Sequence, residues 1–195
     1  MTPLRQRARD ARGQSLLEFA MVLPLVLVLA LGVIEVSYAL LDQHVVTKLT
    51  REGSNLISRD LTLQDTGTAL RNMSSRPVDF ATSARVIFSV IKMVNTAGAT
   101  NLNREVLYQR YEFGAIAANS QLTTQGAGAF GGAPDYLAAN SDNDANLRVT
   151  NLPPNLIVPG GLLYVTEIYS RHPLITPFDR FGVSVPNTLY SIAYF

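Results

Sequence analysis

The sequence predicts an α+β fold, in which a long N-terminal transmembrane and amphipathic helix packs on a small antiparallel β-sheet. Three observations predict it. An apolar run near the N-terminus is long enough to cross a bilayer. Apolar residues then recur at helical spacing, and after them come β-branched and aromatic runs separated by turn formers. At 195 residues the chain has room for one domain of ordinary size plus an anchor.

Phe19 to Ile34 reads FAMVLPLVLVLALGVI, without a charge, and VSYALL follows Glu35 to end at Leu41. Taken as one helix, Leu16 to Leu41 spans about 39 Å, enough to cross roughly 30 Å of hydrocarbon with some tilt. Arg5, Arg7, Arg9 and Arg12 precede the run, whereas Asp42, Lys48, Arg51 and Glu52 after it nearly balance. That asymmetry keeps the N-terminus cytoplasmic and sends the bulk of the chain outward. Pro24 removes the donor that would bond the carbonyl of Ala20, which invites a kink or local melting. Glu18 opens the run and Glu35 interrupts it. A carboxylate deep in lipid costs at least a few kcal/mol, so each calls for a partner or a shallow depth. Glu35 reads as lying near the outer interface.

Beyond Leu41, Val45, Leu49, the small Gly53, Leu56 and Ile57 continue the helical spacing to about Arg59, with the apolar stripe facing a sheet. Asp65 and Gly67 mark a break, Arg76-Pro77 another, and a short helix fits Thr68 to Met73 between them. Arg85 to Val94 (RVIFSVIKMV) reads as a buried strand and Glu105 to Phe113 (EVLYQRYEF) as the next, after a loop with Gly98, Asn101 and Asn103. Residues 120–146 are rich in Gly, Ala, Asn and Asp and read as a flexible loop. Leu162 to Ser170 is the third strand and Thr188 to Phe195 the fourth. There is no internal repeat. The domain organisation is thus a leader at 1–13, a transmembrane helix at 14–41 and an exported α+β domain at 42–195.

Composition excludes several function classes. The 16 basic and 15 acidic side chains give a net charge of +1. The first 13 residues hold four of the basic ones against Asp10 alone, so the remainder is net acidic by two, which argues against nucleic acid as a partner. Without cysteine there is no disulfide, thiol or Cys-zinc chemistry. His44 reads as a solvent-facing residue after the span. His172, near Ser170, has no orienting acid at triad spacing. Asn140-Ser141-Asp142-Asn143-Asp144 alternates oxygen ligands as a calcium loop does, but Ala145 and Asn151 stand where glycine and glutamate are needed. Gly126, Gly128, Gly131 and Gly132 lack the Lys-Ser or Lys-Thr and helix start of a phosphate cradle. Tyr164, Tyr169, Tyr190, Tyr194 and Phe195 read as packing. No enzyme, metal or cofactor site emerges.

One motif remains. From Arg12 the chain reads R-G-Q-S-L-L-E-F-A-M-V-L-P: a basic leader ends in Gly13, four residues follow, then Glu18 and Phe19 head the apolar helix with Pro24 inside it. This resembles the class III signal of type IV pilins, and in particular the G-x-x-x-x-E-[FY] pattern of the tight-adherence, TadE-like branch. QHVVTKLTREGSNL after the span, the glycine, strand and aromatic-proline pattern from Gly161 to Phe178, and the apolar tail LYSIAYF fit the family more loosely. The tail lacks a terminal basic residue, and the middle third matches nothing in it.

The resemblance implies a pilin-like fold and cleavage after Gly13 by a membrane prepilin peptidase. Gln14 becomes the mature N-terminus and Glu18 its fifth residue. Glycine before the cut lets a protease approach the backbone closely. The new α-amino group, positive near neutral pH, is a counter-charge for Glu18 of a neighbouring subunit, which fixes the axial register of packed helices. The implied role is a minor pilin or pseudopilin, structural or assembly-initiating, in the bacterial inner membrane and in a surface pilus used for adhesion. Its implied partners are the peptidase, other pilin or pseudopilin subunits, the inner-membrane assembly platform and membrane lipid. Two alternatives stay open: a conventional signal peptide cut near Ala30-Leu31-Gly32, releasing a periplasmic binding domain, or a permanent anchor that is never cut.

Overall fold

Helix α1, Pro3–Ser58, runs without interruption through Pro24, so the proline does not melt it. The computed structural model describes the backbone of residues 3–176 and 187–195 and the side chains of residues 14–176 and 187–195. The chain divides into two units. One is Met1–Leu40 with Leu174–Val185; the other is Leu41–Pro173 with Pro186–Phe195.

The second unit holds an antiparallel sheet of β1 (Ala84–Met93), β2 (Glu105–Gly114), β3 (Leu162–Arg171) and β4 (Thr188–Tyr194) in the order β2-β1-β3-β4. β1 lies inside the sheet and is apolar on both faces, which is why RVIFSVIKMV lacks a polar alternation. Its first face carries Val86, Phe88 and Val90, joined by Phe113 of β2 and Ile168 of β3. Against this face packs the stripe Val46, Leu49 and Ile57 of α1, with Leu63 and Leu70 of a second helix. Full burial of residues such as Phe88 and Leu70 stabilises the fold by about 1.5–3 kcal/mol each. The chain is therefore α+β, with an apolar N-terminal helix packed on a four-stranded antiparallel sheet.

The second helix, α2, is Leu63–Met73 and starts earlier than the sequence suggests. Asp65, expected in a break, instead belongs to its first turn. The Thr62 hydroxyl caps the helix by accepting from Asp65 N (3.1 Å) and donates to Asp65 Oδ2 (2.8 Å). Gly67, the other expected breaker, sits inside α2, where a Cβ would lie 2.9 Å from the rings of both Tyr111 and Phe113. It is a packing glycine, not a helix stop.

The opposite face of the sheet is covered by the long connection between β2 and β3. Residues 120–146 form a loop with isolated bridges (Gln109↔Leu137, Phe130↔Ala138) and, near its end, a 3-10 turn at Ala145–Leu147. Leu122 and Leu147 from this connection bury against Ile91, Leu163 and Val165.

Candidate functional site

In the first unit, the apolar side chains from Leu16 to Leu40 are largely exposed. The described helix from Gln14 is long and apolar enough to cross a membrane, and it is the one such helix among the described residues. A single apolar N-terminal helix of this kind suggests single-pass membrane anchoring.

The motif residues lie inside α1, at the N-terminal edge of its apolar stretch. Gly13 and Gln14 have helical backbone. Gln14 donates from Nε2 to Glu18 Oε1 at 3.1 Å, one turn along. Glu18 and Phe19 are exposed. The helix brings Gln14 and Glu18 together on one face; Phe19 and Pro24 follow along the same rod. The stretch expected to end at Phe178 leaves the described residues after Thr176, so its aromatic-proline end lies outside them.

Glu35 differs from everything around it. It is 3% exposed, in a segment whose other side chains face outward. Its carboxylate accepts from Ile175 N (3.1 Å), Thr176 N (2.8 Å) and the Thr176 hydroxyl (2.7 Å). All three residues belong to the first unit. Two backbone donors and a hydroxyl replace the water that a carboxylate loses on burial. The sequence signals the need for a partner at Glu35, but not that the partner is 140 residues away.

His172 is also buried, at 3% exposed, and lies 2.6 Å through Nδ1 from Asp42 Oδ2. The pair ties the end of β3 to α1 within the second unit. His44 is exposed, as its place in the sequence suggests.

Sequence reasoning missed one further group. Glu167, fully buried in β3, accepts from Gln121 N (2.7 Å), from the Tyr190 hydroxyl (3.0 Å) and, closely, from the Ser120 hydroxyl. Arg110 donates to the Ser89 and Ser120 hydroxyls at 3.1 Å each. Burial and the neighbouring Glu167 charge push the Tyr190 phenol upward, and burial lowers the Arg110 guanidinium. This network pins the covering loop to the sheet. Only the charged residues at inward strand positions, Glu167 and Arg110, could have signalled it.

The acidic loop is spent on internal contacts. Asp142 accepts from Thr96 (2.8 Å) and Lys92 (3.0 Å), and these bonds hold its carboxyl below the usual range. Asp144 accepts from Asn146 N, and Asn143 from Thr100 N. Among the described residues no group of three His, Cys, Asp or Glu could hold a metal.

No curated protein and no solved structure matches the chain. Residues 13–55 match the model of the TadE-like protein family, from the glycine of the motif to within one turn of the end of α1, so this stretch of the chain is similar to that family.

Proposed function

We propose that the chain is a minor pilin or pseudopilin of a tight-adherence type IV pilus, cut after Gly13 by a prepilin peptidase. One observation carries the reading. The family match begins at Gly13, and Glu18 stands five residues later at the head of the apolar stretch of α1, whose side chains are exposed. Exposed apolar surface on this scale needs lipid or other helices to cover it. Before assembly lipid does so; in a pilus, neighbouring subunits take over.

Cleavage converts Gln14 into a chain terminus bearing an α-amino group. Glu18 is exposed and so is within reach of such an amine on an adjoining subunit. Pairing offsets the desolvation of both charges and sets the stagger between helices. The four arginines before Gly13 hold the precursor with its N-terminus in the cytoplasm, where the peptidase of this family cuts, and the sheet domain is exported. A chain of 195 residues exceeds the very short major pilins of this system, which favours a minor or initiating role.

Replacing Gly13 with a bulky residue such as leucine tests processing. The expected result is a precursor heavier than the wild-type product by the 13-residue leader. Equal masses for the two proteins would contradict cleavage at this position. A wild-type product beginning near Val33 would instead indicate a conventional signal peptide, and one beginning at Met1 a permanent anchor.

A further inference from the structure

Resting on the reading of α1 as a membrane span, we infer that Glu35 latches the segment around Ile175 into the outer face of the bilayer, making it a second point of lipid contact. The argument starts from depth. Hydrocarbon of ~30 Å takes about 20 helical residues, which from Phe19 ends near Tyr38. Glu35 lies three residues before Tyr38, or ~4.5 Å inside that edge by helix rise. Whatever bonds directly to its carboxylate shares that depth. Ile175 and Thr176 do so through both backbone N–H groups and the threonine hydroxyl.

The chemistry at this point suits a lipid interface. Backbone N–H groups entering hydrocarbon need internal acceptors, and the Glu35 carboxylate supplies one to each of two successive residues. Thr176 is buried by the same contact, while the Ile175 side chain remains 54% exposed. On the helix beside it, Ile34, Val36 and Tyr38 are exposed too. Polar atoms are thus turned inward to Glu35 and apolar side chains outward. That is the reverse of the order a water-facing loop adopts, and it matches acyl chains and the glycerol region of a leaflet as the covering medium.

The chain contains no cysteine, so single-cysteine spin labelling of the full-length protein in phosphatidylcholine–phosphatidylglycerol vesicles tests this directly. Three variants are compared: Ile175→Cys, Leu29→Cys as the lipid reference, and Asn72→Cys on exposed α2 as the water reference. Collision with oxygen reports lipid, and collision with a nickel chelate reports water. The label at 175 should favour oxygen, at a shallower depth than the label at 29. Nickel accessibility equal to that at 72, with 29 lipid-exposed, would overturn the inference and leave the span intact. Low collision with both reagents would also overturn it, because protein would then cover the site. A label at 29 that meets nickel freely would sink the span itself. Adding Glu35→Ala to Ile175→Cys should raise nickel accessibility several-fold, and Thr176→Val, which removes one donor, should raise it less. No change in either background would refute the latch.

Discussion

At Gly53, α1 passes close to Thr166 of β3. A Cβ at Gly53 would stand 2.8 Å from Thr166 Cγ2 and 3.3 Å from Leu70, so a larger residue forces the Thr166 side chain or α1 itself to shift. Gly53→Val should destabilise the sheet domain by about 1–3 kcal/mol, read as a lower midpoint in urea unfolding of the detergent-solubilised protein. A midpoint equal to wild type would show that the crossing is looser than described. Glu167 makes a sharper case. Glu167→Ala would strand the Gln121 N–H and the Tyr190 hydroxyl and leave Arg110 without its nearby carboxylate. Breaking one side of a buried charged network costs about 3–5 kcal/mol. The loss should be largest in hydrogen exchange of the covering connection, which Glu167 holds.

Asp142 adds a pH dependence with a definite sign. Its folded carboxyl is held below the usual value, first by Thr96 and then by Lys92. A lowered folded pKa contributes stability above the unfolded value of about 3.9, and that contribution is lost as pH falls through the folded value. Asp142→Asn should therefore flatten the decline in stability below about pH 4 and leave the alkaline side unchanged. An identical acid limb in both proteins would show that the Thr96 and Lys92 contacts do not persist in solution. At the other end of the chain, Glu18→Gln should spare membrane insertion and impair assembly. Normal pili from such cells would remove the counter-charge from the account.

Among the elements, legibility followed burial on two faces and local chemistry. The four strands were readable because β-branched and aromatic residues cluster in runs bounded by Asn, Gly and Pro, and β1 to β4 fall where those runs lie. The end of α1 was readable from the spacing of Val45, Leu49, Gly53, Leu56 and Ile57, although Val46 rather than Val45 turns into the core. The start of α2 was not. Asp65 and Gly67 look like punctuation in one dimension, yet Asp65 completes the cap with Thr62 and Gly67 makes room for the Phe113 ring. Thr62→Ala should cost about 1 kcal/mol through the lost cap, visible as earlier melting; an unchanged melting temperature would deny the cap its role. The connection between β2 and β3 was legible as a loop. Its covering role was not, because Leu122, Leu147 and Ile157, which bury against the sheet, are scattered among polar and small residues and show no period.

Taken whole, the chain combines an exposed apolar helix with a sheet domain whose core is complete without it from Leu16 to Leu40. The Gly13–Glu18 motif was legible because it is contiguous. The Glu35 contact was only half legible: an acid inside an apolar run announces a partner, whereas Ile175 and Thr176 are found only through the fold. N-terminal sequencing of the protein purified from the cell envelope bears most directly on its function. Cleavage after Gly13 predicts a mature chain beginning at Gln14, with Glu18 at cycle five. Any other first residue, Met1 and Val33 included, contradicts it.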